Sequence, residues 1–232
     1  MVSLADAERL KRAAAATAIE EVRDGMVVGL GTGSTAAHVV ELLAPRVAAG
    51  LDIMGVATSR TTEAAARAAG IRLLAPDMLA EIDLCIDGVD EIDAQLRAIK
   101  GGGGAMLLEK IVAALARRNI AIADGSKQVA RLGGRAVPIE ILPAARGLVA
   151  AEIARLGGTA ELRLRDAAPW VTDWGHRILD ARFPNLDHLP ALARALSEIP
   201  GALGHGLFLT EIDALYVARS DGVSRQERPI EE

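Results

Sequence analysis

The residues best suited to chemistry in this chain lie between Asp87 and Lys110, in the stretch DGVDEIDAQLRAIKGGGGAMLLEK. It contains an acidic segment, DGVDE, then Lys100, a run of glycines, and Glu109 in the opening turns of a predicted helix. Taken singly, an acidic turn is usually solvated, and a glutamate early in a helix usually interacts with the helix dipole. Together they place acid, base, cation and backbone N–H donors within one short span. Each glycine loses about 0.5–1 kcal/mol of chain entropy relative to Ala, so we expect a ligand to approach the main chain there.

A second candidate site precedes this stretch, in the segment GLGTGST that begins at Gly29. A short apolar run, Met26 to Leu30, leads into this glycine-rich turn, and a helix is predicted from about Thr35. Backbone N–H groups at such a turn can hold an anion. Ser34 stands where the dinucleotide fingerprint G-x-G-x-x-G needs its last glycine, and no Gly-Lys-Ser/Thr of a Walker loop follows. The hydroxyls and amides suited to one phosphate belong to Thr32, Gly33, Ser34 and Thr35.

Composition narrows the class of protein and of partner. The 232 residues are 51% hydrophobic but only 2% aromatic, so the core must be built from Ala, Leu, Ile and Val. A net charge of -5 argues against nucleic acid as the main partner. Cys85 is the only cysteine, which excludes an internal disulfide and a thiolate metal cluster, and the four histidines lack ligand-like spacing. The charged N-terminal segment and the lack of a long apolar run predict a cytoplasmic protein without membrane contact.

The elements that must position these residues alternate between strand and helix. An amphipathic helix is predicted over residues 4–23, and strands are predicted near 26–30, 51–59, 71–75, 84–86 and in NIAIADGSK (119–127), with helices between them. The helix after the glycines is predicted to carry Leu108, Ile111, Val112 and Leu115 on one face. This alternation predicts an α/β fold, a Rossmann-like mostly parallel sheet with helices on both sides. Ligands of such sheets bind at the carboxyl ends of the strands, where Thr32 to Thr35, Ser59, Asp87, Asp90, Lys100 and Lys127 converge.

The pattern changes near Gly133. Residues 133–204 are predicted to form a smaller α+β domain, and residues 1–132 with 205–232 the Rossmann-like catalytic domain. The apolar segments suggest the ferredoxin-like order strand-helix-strand-strand-helix-strand. The predicted strands are VPIEI, ELRLR, Trp170 to Thr172, RILDA and GLFLT, and the predicted helices run from Ala144 to Leu156 and from Asp187 to Ile199.

Four motifs of the chain resemble the signatures of the ribose-5-phosphate isomerase A family, in order and at the family's spacing. They are GLGTGSTA (29–36), DGVDEID (87–93), KGGGGAMLLEK (100–110) and ADGSKQV (123–129). The segments VTDWGHRILD and GHGLFLTEIDALYVA are also similar, so the resemblance covers nearly the whole chain. Val89 and Gly104 stand where the family is expected to have alanine. TSRTTE (58–63) differs from a serine-rich segment, which leaves the role of Ser59 open.

The resemblance implies reversible isomerisation of D-ribose 5-phosphate to D-ribulose 5-phosphate, in the pentose phosphate pathway, by a homodimer that needs no cofactor. It implies Glu109 as general base, with Asp87, Asp90 and Lys100 as further catalytic residues. The implied substrate-binding residues are Thr32, Gly33, Ser34, Thr35, Asp87, Gly88, Val89, Asp90, Lys100, Gly101, Gly102, Gly103 and Lys127. Whether Lys11 also reaches the phosphate is left open by its loose motif.

The implied reaction needs more than one of these groups. A positioned base contributes about 10²–10⁴ in rate, whereas enzymes typically need about 10⁶ or more. Stabilisation of the developing oxyanion can supply the difference, at about 10²–10³ for each donor, and Lys100 with the glycine amides is the candidate. Asp87 and Asp90 are candidates for moving protons between the two oxygens and for opening the sugar ring. Ser34, Thr35 and Lys127 would anchor the phosphate.

Three other functions fit parts of the sequence. A sugar-phosphate-sensing binding domain would keep the phosphate loop but has no need of Lys100 and Glu109 together. A nicotinamide-dependent dehydrogenase is disfavoured by Ser34 and by the lack of an acidic residue at the end of the second strand. A sugar-phosphate deaminase or lactonase would reuse the phosphate loop, but it has no reason to keep the spacing from Lys100 to Glu109.

Overall fold

The computed structural model describes residues 4–229, so residues 1–3 and 230–232 of the predicted catalytic domain lie outside the described part of the chain. The α-helices of the described residues are α1 (Leu4–Ala18), α2 (Ser34–Ala48), α3 (Arg60–Ala68), α4 (Met106–Leu115), α5 (Arg146–Arg155) and α6 (Leu189–Ser197). The strands are β1 (Val27–Leu30), β2 (Met54–Ala57), β3 (Arg72–Leu73), β4 (Leu84–Gly88), β5 (Glu91–Ile92), β6 (Ala98–Ile99), β7 (Asn119–Asp124), β8 (Val137–Ile141), β9 (Thr159–Leu162), β10 (Leu164–Arg165), β11 (Ala168–Pro169), β12 (Arg177–Arg182), β13 (Ala202–His205), β14 (Leu207–Phe208), β15 (Ala214–Arg219) and β16 (Gly222–Glu227).

The central sheet has seven strands in the order β16-β15-β7-β4-β1-β2-β3. Every neighbouring pair is parallel except the terminal hairpin β15–β16. From β1 the chain proceeds outward to β2 and β3, and then returns to the other side of β1 to form β4. The loops that follow β1 and β4 therefore separate at a topological switch point, where sheets of this kind bind ligands. The predicted α/β fold with a mostly parallel sheet is confirmed.

Helices cover both faces of this sheet, and the strand sequences show why. In β7, Ile120 and Ile122 pack into the core beneath α1 and α2, whereas Ala121 and Ala123 pack into a separate core on the opposite face. Side chains of a strand alternate between its two faces, so a continuous apolar strand is stable only when both faces are buried. Cys85 is buried with Val112 of α4, as expected for a small apolar side chain.

The first helix is amphipathic in the way its sequence predicts. Leu10, Ala14 and Ala18 are buried in the core, whereas Arg9 and Arg12 are exposed. The spacing of three to four residues between the buried positions places them on one helical face. Among residues 4–229, no helix combines the length and the apolar character that a membrane crossing would require.

A second sheet of four strands has the order β13-β8-β12-β9, with every pair antiparallel. Helix α5 connects β8 to β9, and helix α6 connects β12 to β13. Numbered within the module, the strand order is 4-1-3-2, and its element order is the predicted strand-helix-strand-strand-helix-strand. Its core contains Val137, Ile139 and Leu179 from the strands, with Val149 and Ile153 from α5.

Two local predictions were wrong. The fourth strand of this module is β13, not GLFLT, because Leu207 and Phe208 pair with β6 in a separate three-stranded sheet. Residues 170–172 form no strand, since the chain makes the short hairpin β10–β11 before them. On the predicted apolar face of α4, Leu108 and Val112 are buried, whereas Ile111 is 46% exposed.

Candidate active site

A cavity of about 100 Å³ lies at the switch point of the central sheet. It brings together the loop after β1, the loop after β4, the glycine loop (residues 101–104), the start of α4 and the turn after β7. Its lining residues are Lys11, Thr32, Gly33, Ser34, Thr35, Gly88, Val89, Asp90, Lys100, Gly101, Gly102, Gly103, Glu109 and Lys127. Every residue that the sequence assigned to the substrate lines this cavity except Asp87, which lies behind Lys100.

Three buried charged side chains form one cluster at the cavity: Lys100 and Glu109 line it, and Asp87 lies behind Lys100. Lys100 Nζ lies 2.8 Å from Asp87 Oδ2 and 3.3 Å from Glu109 Oε2. The other oxygen of Asp87 accepts hydrogen bonds from the Gly88 amide at 2.7 Å and the Thr32 amide at 3.1 Å. Glu109 Oε2, by contrast, has no hydrogen-bond partner among the described residues. Asp87 is therefore fully engaged in holding Lys100, and Glu109 keeps an acceptor oxygen available.

The burial of these groups changes their proton affinities. Burial, reinforced by the neighbouring charge of Asp87, raises the pKa of Glu109 from 4.5 to about 8. Burial also raises the pKa of Asp87, although Lys100 and the two amides oppose this effect. For Lys100 burial acts in the opposite direction, but Asp87 and Glu109 outweigh it, so its pKa lies above the ordinary value. The site thus holds a permanent cation beside a carboxyl group that titrates near neutral pH.

The loop after β1 combines exposed backbone with hydroxyl groups. Gly33 has a φ of 101°, a backbone conformation that favours glycine, and Ser34 begins α2 directly after it. Lys11 of α1 donates a hydrogen bond to Ser34 Oγ at 2.9 Å. Lys127, at the end of the 3₁₀ turn Gly125–Lys127, lines the same cavity. Two lysines and a helix N-terminus therefore surround one small volume, a combination suited to an anion.

The glycine loop forms the opposite wall. Gly101 has a φ of 108°, and a Cβ atom there would lie 2.6 Å from the Met106 side chain. The Gly102 amide donates to Asp90 Oδ2 at 2.7 Å. Within residues 4–229, the amides of Gly101 and Gly103 have no protein acceptor. Both glycines line the cavity, which makes their amides candidate donors to a ligand.

Several residues that support the site carried no signal in the sequence. Thr32 Oγ1 lies 2.8 Å from Thr58 Oγ1 and 3.3 Å from Thr62 Oγ1, which ties the first loop to α3. A Cβ atom on Gly31 would lie 1.9 Å from Asp87 Oδ1, so only glycine fits beside this carboxylate. These pairs are distant in sequence and become neighbours only because their strands are adjacent.

Ser59 occupies a different position from the other predicted residues. Its hydroxyl caps α3 by accepting a hydrogen bond from the Thr62 amide at 3.1 Å. It lines a separate cavity next to Arg60 and Trp174, and its connection to Thr32 passes through Thr62.

Residues 4–229 contain no group of three or more His, Cys, Asp or Glu side chains that could hold a metal ion. The absence of a metal or cofactor requirement stays a prediction.

The fold and the cavity together define a Rossmann-like enzyme with a buried carboxylate–lysine centre beside a hydroxyl-rich loop. The chain matches the family model for ribose 5-phosphate isomerase A (phosphoriboisomerase A) over residues 54–222. The chain belongs to the ribose-5-phosphate isomerase A family.

Relatives of known sequence support this assignment over nearly the full length. Ribose-5-phosphate isomerase A of Rhodopseudomonas palustris (strain BisB5) is 48% identical over 230 residues, which cover 96% of this chain and 99% of the relative. The protein of the same name from Sphingopyxis alaskensis is 48% identical over 218 residues, covering 94% of this chain and 96% of its own.

Solved structures agree with the fold. A D-ribose-5-phosphate isomerase in complex with phospho-erythronic acid superposes with a TM-score of 0.93 at 36% identity, covering 96% of this chain and 99% of that one. Ribose 5-phosphate isomerase A from Neisseria gonorrhoeae gives a TM-score of 0.91 at 33% identity, over 99% of this chain and 100% of its own.

Proposed function

We propose that this chain interconverts D-ribose 5-phosphate and its 2-keto isomer, D-ribulose 5-phosphate, through an enediolate, with Glu109 as general base. The observation that carries the proposal is the buried pair of Glu109 and Lys100 facing the cavity, with 3.3 Å between Oε2 and Nζ. A base works best when its pKa lies near the working pH, and the pKa of Glu109 is about 8.

In the proposed reaction the Glu109 carboxylate removes the proton from C2 of the open-chain aldose. The electron pair left on C2 forms the C1–C2 double bond, and the carbonyl oxygen O1 takes the negative charge. The protonated Glu109 then returns a proton to C1, while O1 gains a proton and O2 loses one. The product is the 2-ketose, with no net change in atoms or electrons.

The developing charge on the oxygen needs donors that are already in place. The Lys100 ammonium carries a fixed positive charge because Asp87 and Glu109 raise its pKa. The amides of Gly101 and Gly103 are further donors at the same wall of the cavity. A preorganised donor of this kind typically contributes about 10²–10³ in rate. Asp87 then acts indirectly, by holding Lys100 from behind.

We assign the proton transfer between O1 and O2 to Asp90. Its carboxylate lines the cavity and is partly exposed, and one oxygen is held by the Gly102 amide at 2.7 Å. The other oxygen is available to a substrate hydroxyl. The same group is suited to open the furanose ring, since that step also moves a proton between two oxygens.

The phosphate is proposed to bind at the loop after β1. The amides and hydroxyls of Thr32 to Thr35 and the two cations Lys11 and Lys127 surround that end of the cavity. The far end of the substrate is then fixed, so that binding energy remote from the reaction orients C1 and C2. The relative solved with phospho-erythronic acid, a compound that carries both a carboxylate and a phosphate, supports a ligand of this class.

We further propose that the chain works as a homodimer in the cytoplasm, in the non-oxidative branch of the pentose phosphate pathway. The family resemblance supports this proposal. The exposure of large apolar side chains, 81% for Met78 and 61% for Trp174, is consistent with a subunit interface.

The test is a direct assay of the purified chain with D-ribose 5-phosphate, following ribulose 5-phosphate without added cofactor or metal. We expect saturable turnover in both directions. Binding of the sugar phosphate without turnover would contradict the proposal and would indicate a sensing domain instead.

A further inference from the structure

Arg163 connects the four-stranded sheet to the glycine loop of the active site. The residue lies between β9 and β10, far in sequence from the loop. Its Nη1 donates to the carbonyl oxygens of Gly101 at 2.8 Å and Gly102 at 3.2 Å. These are consecutive peptide units in the wall of the substrate cavity.

Arg163 is itself held firmly. Its Nε donates to Asp180 Oδ2 at 2.8 Å, and its Nη2 binds the other oxygen of the same carboxylate. Its backbone N–H donates to Ile178 at 2.9 Å, and its carbonyl accepts from Trp170 at 2.9 Å. The side chain is only 12% exposed. Paired, forked hydrogen bonds of a guanidinium with a carboxylate have a fixed geometry, so the donor that reaches the loop is fixed as well.

Because peptide groups are planar, these two hydrogen bonds also fix the directions of the neighbouring N–H groups in the cavity wall. The C=O of one residue and the N–H of the next lie in one plane and point in opposite directions. Fixing the Gly101 carbonyl therefore aims the Gly102 amide, which donates to Asp90. Fixing the Gly102 carbonyl aims the Gly103 amide, which has no acceptor among residues 4–229. A run of glycines has no side chains to hold these planes by itself.

We propose that Arg163 is a positioning residue that orients the Gly102 and Gly103 amides, with Asp180 holding the guanidinium. The proposal rests on the proposed isomerase function for its kinetic consequence. It assigns a task to the smaller sheet, which otherwise contributes no residue to the lining of the cavity. The phosphate-binding loop lies on the other wall and is untouched by Arg163.

The kinetic test compares Arg163→Ala with wild type and with Arg165→Ala. Arg165 is a matched control, because its guanidinium lies 5.2 Å from the same Trp170 ring that Arg163 faces at 5.8 Å. Among the described residues, Arg165 makes no hydrogen bond to the glycine loop. We expect Arg163→Ala to lower kcat by about 10- to 100-fold, since one misaimed donor costs part of the 10²–10³ typical of its loss. KM should change by less than threefold. For Arg165→Ala, both kcat and KM should stay within twofold of wild type.

Two further experiments distinguish a positioning role of Arg163 from a general disturbance of the fold. Guanidinium ion added to Arg163→Ala should restore part of kcat, at least fivefold, and should leave Arg165→Ala unaffected. If Arg163→Ala does not fold, Arg163→Lys replaces it. A single ammonium cannot bind both oxygens of Asp180 and both carbonyls at once, so kcat should fall about five- to tenfold.

Hydrogen–deuterium exchange tests the same proposal without reference to activity. In wild type the Gly102 and Gly104 amides have acceptors, Asp90 and the Gly101 carbonyl. Arg163→Ala, or Arg163→Lys in its place, should speed exchange of a peptide covering residues 101–104 at least fivefold, and Arg165→Ala should not. Unchanged exchange together with unchanged kcat overturns the proposal, as does a rise in KM with kcat unaffected. An inactive wild type whose loop exchange still depends on Arg163 would instead refute the isomerase function and leave the positioning role standing.

Discussion

Glu109 and Asp87 share the same lysine but differ in their other partners. Asp87 accepts two backbone amides, at 2.7 and 3.1 Å, in addition to Lys100. Glu109 Oε2 has only the ion pair with Lys100, at 3.3 Å. Hydrogen bonds to a carboxylate favour its ionised form, so the two amides stabilise the Asp87 carboxylate, whereas Glu109 Oε2 has no such donor. This difference in partners suits Asp87 to hold Lys100 in place and Glu109 to accept and return a proton.

The pKa of Glu109 predicts the pH dependence of the reaction. The carboxylate is the active form, and its pKa in the folded protein is about 8. We therefore expect kcat/KM to rise about tenfold between pH 7 and 9 and to level off above pH 9. The second ionisation of a phosphate group lies near pH 6, so the informative range is pH 7 to 9. A profile that is flat across this range would mean that Glu109 is already ionised at pH 7.

The sequence indicated which residues belong to the site better than it indicated which of them contact each other. The motifs predicted Glu109, Lys100 and the loop of Thr32 to Thr35, because acids, cations and glycines are rare in such density. That Asp87 stands behind Lys100 could not be predicted, since it depends on a side-chain direction. Arg163 had no signal at all, because ELRLR has the ordinary alternation of a surface strand.

The elements of the site divide the work between binding and chemistry. The loop after β1, the first helix and the turn after β7 carry the hydroxyls and the cations Lys11 and Lys127. The glycine loop and α4 carry the donors and the base. The loops after β1 and β4 and the turn after β7 follow neighbouring strands of the central sheet, so the switch-point topology brings them to one edge.

Lys127→Ala should therefore affect binding more than chemistry. A charge-assisted hydrogen bond contributes about 1.5–3 kcal/mol, so we expect KM for ribose 5-phosphate to rise about 10- to 100-fold while kcat falls less than threefold. Arg131→Ala is the control, because this arginine is nearby in sequence, is 76% exposed and does not line the cavity. Unchanged KM in Lys127→Ala would remove the residue from the phosphate site.

Element types could be predicted where the apolar pattern was long, as in α1 and β7. Errors arose in short segments whose partners are distant. Leu207 and Phe208 are apolar enough for either sheet. Their pairing with Ala98 and Ile99 depends on tertiary contacts, which the local sequence pattern does not indicate.

For the molecule as a whole, the buried carboxyl group of Glu109 links the active site to stability. A carboxyl whose pKa is raised on folding favours the folded state fully below its unfolded pKa, near 4.5, and this contribution is lost as the pH rises through about 8. The active site is thus predicted to weaken the fold in the pH range where Glu109 acts as a base.

Glu109→Gln should reveal the loss of stability that ionisation of Glu109 causes. The variant lacks the titration, so its free energy of unfolding relative to wild type should increase between pH 5 and 8, by up to about 1.4 kcal/mol per pH unit. Urea denaturation at pH 5, 7 and 9 measures it. Glu198→Gln is a control at a side chain that is 65% exposed, and its difference from wild type should stay constant. A constant difference for Glu109→Gln as well would show that Glu109 is ionised throughout.

The overall architecture was the most predictable feature. Alternating strands and helices indicated the parallel sheet, and the pattern after Gly133 indicated the second sheet with its two helices. The division of the chain at residues 133 and 205 stays a prediction. The contact between the smaller sheet and the glycine loop could not be predicted, because it depends on how the two sheets are oriented relative to each other.

The central claim is that Glu109 transfers the proton between C2 and C1. The most direct measurement is proton NMR of ribose 5-phosphate in D₂O with wild type and with Glu109→Gln, following both isomerisation and deuterium incorporation at these carbons. We expect wild type to isomerise the sugar and to introduce deuterium, and Glu109→Gln to slow both processes by at least about 10³-fold, since the base and its share of the oxyanion network act together. Incorporation by Glu109→Gln within tenfold of wild type would contradict this account.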